Sequence, residues 1–219
     1  MTALKKRIVI IEDHPLVRER LADLFNKDGS MEVCGEAEDA QSGMELVQRL
    51  SPDLAIVDIT LKNSSGLQFI KRLRALSLPT PVLVLSMHDE SAYAQRAFRA
   101  GASGYISKNR GSAEVLNAAR QVLAGEVYVS QEMSLNVLRK WAGKGIAGIA
   151  TRSVDRLSDR ELAVLEMVGQ GRNSRAIAEK LGVRMATVDT YRARIKEKMN
   201  LQNSFELQDF AIRWLRERE

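Results

Sequence analysis

Hydrophobic residues in the first half of the chain form short continuous runs, separated by longer stretches with helical spacing. Short runs rich in Val, Ile and Leu are typical of parallel strands that are covered on both faces. The runs predict strands near 7–12, 32–37, 54–58, 81–86 and 104–107. The stretches that follow them predict helices near 15–27, 40–50, 66–76, 90–100 and 112–124. Alternating strands and helices predict an α/β fold with a doubly wound parallel sheet.

This alternation defines an N-terminal domain, residues 1–125, with the flavodoxin-like strand order 2-1-3-4-5. The run GEVYVS then leads into a helical stretch from Gln131 to Trp141. Residues 142–155 are rich in Gly and Ala and have no clear period, which indicates an interdomain linker. We therefore expect a helix and linker over residues 126–154 and a second domain over residues 155–219.

The second domain has the pattern of four helices. Ser158 and Glu161 fit a capping box at the start of the first helix. Asn173 or Ser174 is expected to cap the second helix, which stops at Gly182. The last two helices are expected at 184–200 and near 204–217. A short helix, a Gly-containing turn and a longer helix predict a helix-turn-helix, so this domain is expected to be all-α.

Polar residues end four of the hydrophobic runs in the first domain. They are Glu12 and Asp13, Asp58, Ser86, and Lys108. Functional groups in such a sheet gather outside the carboxyl ends of the strands, and three carboxylates held together need a cation or a proton. Mg2+, which prefers oxygen ligands, suits them. An aspartate beside Mg2+ can accept a phosphoryl group, with Lys108 and Ser86 binding the phosphoryl oxygens.

Composition narrows the class of protein. The 219 residues are 45% hydrophobic, which is enough for two cores, and the net charge is +5. Cys34 is the single cysteine, so an intrachain disulfide is impossible and a reducing compartment is indicated. No apolar run reaches the ~18 residues of a membrane helix, and the N-terminus lacks the features of a signal peptide. We therefore expect a cytoplasmic protein that does not insert into a membrane.

The polar set in the first domain resembles that of the response regulators of bacterial two-component signalling, of the NarL/FixJ type, over about residues 5 to 125. The resemblance implies that Asp58 is the phospho-acceptor and that a sensor histidine kinase is the donor. It also implies Mg2+ ligands at Glu12, Asp13, Asp58 and the Thr60 carbonyl. Ser86 and Tyr105 match the switch residues, and Lys108 matches the lysine that binds the phosphoryl group.

The chain departs from this family at three places. Asn109 follows the lysine where the family usually has Pro, often after a cis peptide bond. Glu12 replaces the commoner Asp, and the segment 59–66 lacks the usual Met-Pro, although Gly66 matches. The side-chain change at Thr60 leaves its carbonyl in place.

The second domain resembles the LuxR-type helix-turn-helix over about residues 155 to 215, which implies binding to double-stranded promoter DNA. The third helix of such a domain enters the major groove. Its basic residues are Arg184, Arg192, Arg194, Lys196 and Lys198, all candidates for phosphate contacts. Asp189, Thr190 and Ala193 are candidates for base contacts, and Thr187 for a phosphate contact or a helix cap.

Two of these positions differ from the family pattern. Arg184 stands where a Ser usually caps the recognition helix, and losing such a cap costs about 1 kcal/mol. Asp189 stands where Lys is common. Its carboxylate is expected to accept from cytosine N4 or to pair with Arg192 or Arg194, and pairing is favoured.

The two resemblances together predict a phosphorylation-controlled transcriptional regulator that is not an enzyme. Our hypothesis is that phosphorylation draws Ser86 toward the phosphoryl group, that Tyr105 moves inward, and that the face around 90–107 changes shape. That change releases the C-terminal helices or forms a homodimer. The first alternative is a constitutive DNA-binding protein whose first domain only dimerises. A haloacid-dehalogenase-type phosphatase would need a second Asp where Thr60 stands, and RNA modules usually carry more aromatic platforms.

Overall fold

A computed structural model describes residues 4–61, 64–88, 90–131, 133–135, 154 and 156–216. The chain divides into two compact units, residues 1–142 and 143–219. In the described part, no helix is both long enough and apolar enough to cross a membrane.

The first unit contains a five-stranded parallel sheet. The strands of this unit are β1 (Lys6–Ile11), β2 (Met31–Ala37), β3 (Leu54–Asp58), β4 (Thr60–Leu61), β5 (Ser64–Ser65), β6 (Val82–Ser86) and β7 (Gly104–Ser107). The sheet has the order β2-β1-β3-β6-β7, which confirms the predicted 2-1-3-4-5 arrangement. The two-residue strands β4 and β5 form a separate antiparallel pair that the sequence pattern did not indicate.

Five helices connect and follow these strands, close to the predicted ranges. They are α1 (Pro15–Lys27), α2 (Ala40–Leu50), α3 (Gly66–Ala75), α4 (Glu90–Ala100) and α5 (Ser112–Leu123). Local chemistry sets several ends. Pro15 begins α1, where its missing N–H costs nothing, and the Asp39 carboxylate caps α2 by accepting from the Gln41 and Ser42 N–H groups. Gly101, with φ +103°, ends α4 as predicted.

The central strands are buried along their whole length. Every residue of β3 and β6 is buried, and so are the last four residues of β1. Ile10 lies beside Ile56, and Val57 beside Val84, in the parallel register. This explains why the strands read as continuous apolar runs rather than alternating ones. It also brings the polar residues at their carboxyl ends to one edge of the sheet.

The chain returns to the sheet after α5. Tyr128 forms a parallel bridge to Gly104, and Ser130 begins a helical turn that includes Gln131. The rest of the helix predicted from Gln131 to Trp141 is described only at 133–135, which is helical. The predicted linker, 142–155, lies outside the described residues except for Val154.

The second unit contains four described helices. They are α6 (Asp159–Gly169), α7 (Ser174–Leu181), α8 (Met185–Met199) and α9 (Ser204–Arg216). The predicted capping box at α6 is confirmed: the Glu161 N–H donates to Ser158 Oγ, and the Ser158 N–H donates to Glu161 Oε2. Asn173, and not Ser174, caps α7 by accepting from the Ala176 N–H.

The core of this unit is formed by apolar residues from all four of its described helices. Its fully or nearly fully buried apolar residues include Leu162, Val164, Leu165, Ile177, Leu181, Val188, Ile195, Leu207, Ala211 and Trp214. Gly182 ends α7 at φ +63°, a backbone conformation that favours glycine. The tight turn allows α7 and α8 to pack as a helix-turn-helix pair.

Candidate functional site

An acidic cluster lies at the carboxyl edge of the parallel sheet. Glu12 and Asp13 follow β1, and Asp58 is the last residue of β3. One ligand atom from each of these residues and from His14 lies within 4.8 Å of all the others. Glu12 and Asp58 are only 1% and 5% exposed. The fold thus brings together the three carboxylates that the sequence pattern placed at strand ends.

Lys108 lies between two of these carboxylates. Its Nζ is 2.6 Å from Glu12 Oε2 and 2.8 Å from Asp58 Oδ2, and its side chain is 9% exposed. The backbone N–H of Lys108 donates to the Ser86 carbonyl at 2.8 Å, which fixes the position of the lysine beyond β7. A buried ammonium held this way screens part of the negative charge of the cluster.

Burial and mutual repulsion shift the acidity of these groups. Burial raises the pKa of Asp58 to about 6, and the neighbouring Glu12 carboxylate acts in the same direction, although Lys108 opposes both. Burial alone would lower the pKa of Lys108, but Asp58 and Glu12 outweigh it and hold that pKa above its usual value. One ammonium therefore does not fully compensate the carboxylates, so the cluster favours a further cation.

His14 completes the cluster, although the sequence pattern did not mark it as a member. Its Nδ1 lies 2.8 Å from Asp13 Oδ1 and 3.1 Å from Glu12 Oε1. Its backbone N–H also donates to Glu12 Oε1 at 3.1 Å. The signals in the sequence were its position directly after the acidic pair and the match of His14-Pro15 to the NarL/FixJ pattern. The donors are mainly carboxylate oxygens, a set that fits a hard divalent ion such as Mg2+.

The two predicted switch residues contact the same neighbour, His88. Ser86 is fully buried, and its Oγ accepts from the His88 N–H at 3.0 Å. Tyr105 is also fully buried, and its hydroxyl donates to the His88 carbonyl at 3.0 Å. Tyr105 thus lies in the interior of the receiver, hydrogen-bonded to the segment that follows Ser86.

His88 also connects this region to the segment after Asp58. Its Nε2 lies 2.5 Å from Thr60 Oγ1, and its ring stacks on Tyr93 at 4.4 Å between centroids. Sequence reasoning did not identify His88, because a single His two residues after a strand carries no distinctive signal. The contact brings Thr60, whose carbonyl is the fourth predicted ligand of the metal site, next to the switch residues.

Gly66 sets the path of the chain behind Asp58. A Cβ at this position would lie 2.0 Å from the Asp58 carbonyl oxygen, so only glycine fits. The Gly66 N–H donates to the Ile59 carbonyl at 2.8 Å. Gly66 therefore packs tightly against the end of β3. Asn109 follows Lys108 without a cis peptide bond, and the described residues contain none.

Helix α8, the predicted recognition helix, presents its candidate DNA contacts at different depths. Val188 and Ile195 are fully buried in the core. The exposed candidates are Arg184, Asp189, Thr190, Ala193 and Arg194. The half-buried candidates are Thr187, Arg192, Lys196 and Lys198.

Four of these candidates are engaged within the unit, and one of them is Thr190, whose Oγ1 donates to the Ala186 carbonyl at 2.9 Å. Lys198 Nζ lies 2.6 Å from Glu161 Oε2, in the capping box of α6. Asp189 accepts from Ser174 Oγ at 3.2 Å, and Arg192 Nη1 donates to the same hydroxyl at 3.3 Å. The favoured ion pair of Asp189 with an arginine of its own helix is wrong, because Ser174 lies between the two charged groups.

Comparisons with known proteins agree with this architecture. Residues 8–120 match the response regulator receiver domain family, and residues 155–211 match the bacterial regulatory proteins of the luxR family. A protein of Pseudomonas aeruginosa named as a transcriptional regulator is 37% identical over 94% of this chain and 97% of its own length. BvgA of Bordetella pertussis, named as a positive transcription regulator of virulence factors, is 35% identical over the same shares.

A solved structure shares the fold over nearly the whole chain. RcsB from Salmonella enterica, bound to the promoter rprA in the presence of the phosphomimetic BeF3-, matches with a TM-score of 0.61 and 21% identity. The match covers 95% of this chain and 98% of that one. With the two family matches and the full-length relatives, this places the chain in the response regulators that join a receiver domain to a LuxR-type DNA-binding domain, a family of phosphorylation-controlled transcription regulators.

Proposed function

We propose that Asp58 is the residue of this regulator that accepts the phosphoryl group, from the phosphohistidine of a sensor kinase. An Asp58 carboxylate oxygen attacks phosphorus, the P–N bond of the donor breaks, and the histidine leaves with its electron pair and takes a proton. The observation that carries this assignment is the buried Asp58 carboxylate with Lys108 Nζ at 2.8 Å and two further carboxylates beside it. The Lys108 ammonium, together with a divalent cation held by the carboxylates, would stabilise the negative charge of an arriving phosphoryl group.

Mg2+ would be held by Glu12, Asp13, Asp58 and the Thr60 carbonyl, and when bound it neutralises charge on the phosphoryl oxygens. Lys108 then exchanges its contact with Asp58 for a phosphoryl oxygen. Ser86 Oγ gives up the His88 N–H and donates to another phosphoryl oxygen. The His88 carbonyl also accepts from the Tyr105 hydroxyl. A movement of Ser86 that displaces His88 therefore changes the hydrogen bond of Tyr105.

The second unit binds double-stranded promoter DNA through α8. Exposed Arg184 and Arg194 and half-buried Lys196 supply phosphate contacts, while Asp189, Thr190 and Ala193 face base edges. Thr187 and Arg192 flank these positions. Lys198 is paired with Glu161, so its main role is to stabilise the fold, and its contribution to phosphate binding is smaller. A phosphorylated homodimer would place two α8 helices on half-sites about one helical turn apart.

The domain division supports this assignment. We infer a receiver at 1–125, a helix and connector at 126–154 and a DNA-binding domain at 155–219, and the family matches over 8–120 and 155–211 support this division. The regulator would act in the cytoplasm, where promoter DNA is found.

The test measures mass by light scattering for the full chain, with and without Mg2+ and beryllofluoride. We expect the native chain to shift from monomer to dimer and Asp58→Asn to remain unchanged. Asp23→Asn, at a carboxylate whose side chain is 75% exposed, is the matched control and should respond like the native chain. An equal response of Asp58→Asn would contradict the role of Asp58. If Mg2+ and beryllofluoride change neither the mass nor the DNA binding of the native chain, the constitutive regulator would be favoured.

A further inference from the structure

The segment after α5 is attached to the strand that carries Tyr105. The Tyr105 N–H donates to the Tyr128 carbonyl, and the Tyr128 N–H donates to the Ser103 carbonyl, both at 3.1 Å. Tyr128 is only 6% exposed. The backbone of the switch aromatic and of Ser103, two residues before it, is therefore hydrogen-bonded to Tyr128 in the chain that leaves the receiver domain.

Ser130 joins this segment to the helical turn that follows. Its Oγ accepts from the Met133 N–H at 3.1 Å, and its carbonyl accepts from the Ser134 N–H at 3.0 Å. Ser130 thus acts as an N-cap. Its own N–H donates to Glu90 Oε1 at 3.1 Å, and the residue is 5% exposed. Glu90 therefore holds the residue that starts the turn.

Glu90 is also the first residue of α4, directly after the switch region. Ser86 Oγ accepts from the His88 N–H, and Tyr105 donates to the His88 carbonyl. A displacement of Ser86 changes the support of His88, and Glu90 lies two residues further along the chain. Hydrogen bonds at His88 and at Glu90, joined by the covalent chain between these two residues, thus connect the proposed phosphoryl site to the cap at Ser130.

We infer that Glu90 is a positioning residue that transmits the state of the phosphoryl site to the chain leaving the receiver, through its hydrogen bond to the Ser130 N–H. This inference rests on the proposed phosphorylation of Asp58. When Ser86 turns to the phosphoryl group, α4 shifts at its first residue and the Glu90–Ser130 bond breaks. The turn that begins at Ser130 is then released from the receiver.

A second contact of the segment provides a control. The Tyr128 hydroxyl donates to Glu114 Oε1 at 3.0 Å. Burial raises the pKa of Tyr128 to about 12, with the Glu114 carboxylate acting in the same direction, so the hydroxyl remains a donor. Glu114 belongs to α5, whereas Ser86 ends β6 and His88 follows it. Removing this hydroxyl should loosen the segment without affecting its response.

The experiment is residue-resolved hydrogen exchange on the full chain, with Mg2+ alone and with Mg2+ and beryllofluoride. In the native chain we expect the Ser130 and Met133 amides to exchange about tenfold faster with beryllofluoride, the effect of losing one charge-assisted hydrogen bond. In Glu90→Ala these amides should exchange fast in both conditions. Glu90→Gln keeps an acceptor oxygen and should retain the response, as should Tyr128→Phe.

The Lys108 amide, which donates to the Ser86 carbonyl, reports whether the pocket itself responds. A response at Lys108 without one at Ser130 in the native chain would overturn the role of Glu90 and leave the proposed function intact. The absence of both responses would overturn both proposals. Loss of the response in Glu90→Gln as well as Glu90→Ala would assign the effect to charge rather than to the hydrogen bond. Loss of protection throughout α4 in Glu90→Ala would reduce Glu90 to a structural role.

Discussion

The receiver pocket and the exposed face of α8 hold their charged groups in opposite ways. In the pocket, Glu12 and Asp58 are almost fully buried and share one ammonium, that of Lys108. On α8, Arg184 and Arg194 extend into solvent. Buried charges must be compensated by other residues of the chain, because an unpaired buried charge is costly. Exposed charges remain hydrated and need no partner within the chain, so a ligand can supply the opposite charge.

The largest effect on stability is expected for Lys108→Met, which removes the ammonium that compensates Glu12 and Asp58. Glu12 and Asp58 would then face each other without a cation, which should lower the free energy of unfolding of the receiver by about 3–5 kcal/mol. Mg2+ should restore part of this loss, because the ion supplies the missing positive charge. Urea unfolding with and without Mg2+ measures both quantities.

Lys27→Met is the matched control for this substitution, because the Lys27 side chain is 79% exposed and its partner Asp23 is exposed as well. An exposed pair contributes about 0–1 kcal/mol, so this variant should unfold like the native chain. If Lys108→Met were equally stable, with no added benefit from Mg2+, the pocket would not depend on paired charge. The contrast between the two regions would then lose its physical basis.

A smaller effect on stability is expected at Lys198 of α8, which is paired with a buried carboxylate and is also a candidate phosphate contact. Lys198 is half-buried and bonded to Glu161, which is 2% exposed. Lys198→Met should lower the free energy of unfolding of the second unit by about 2 kcal/mol, as for a lost hydrogen bond to a charged group. Lys196→Met, on the same helix, should change DNA affinity and its salt dependence but leave stability nearly unchanged.

The same pair predicts a pH dependence. Burial raises the pKa of Glu161, but hydrogen bonds from Lys198 and Ser158 outweigh it and hold that pKa below its ordinary value of 4.5. The stabilisation from ionised Glu161 is therefore present above pH 4.5 and is lost as the pH falls through the lowered pKa of the folded state. Carboxyl NMR titration should show the Glu161 midpoint moving upward in Lys198→Met. An unchanged midpoint would show that Lys198 does not hold Glu161.

This contrast also explains how much could be predicted from sequence. The strands and the polar residues at their ends were correct, because burial on both faces leaves a continuous apolar run and forces Asp58 and Lys108 to one edge. His14 and His88 were missed as members of the site, since their contacts come from backbone geometry rather than from a residue pattern. Ser174 was not foreseen as the partner of Asp189, because exposed polar contacts depend on a turn that the pattern locates only within a few residues.

The smallest effect is expected at Arg184, the N-cap of α8, which makes no side-chain cap hydrogen bond. Arg184→Ser should raise the free energy of unfolding of the second unit by about 1 kcal/mol, because Ser can accept from a free N–H at the helix start. If Arg184 contacts a phosphate, the same change should reduce the slope of log K against log salt by about 0.9 on random-sequence duplex DNA. Arg184→Ala removes the charge without adding a cap, so it should reproduce the reduced salt slope but not the gain in free energy of unfolding. A gain in stability with an unchanged slope would mean that the family's Ser was lost here without any gain in DNA contact. A reduced slope in both variants would show that this chain trades a helix cap for a charge that only DNA can pair.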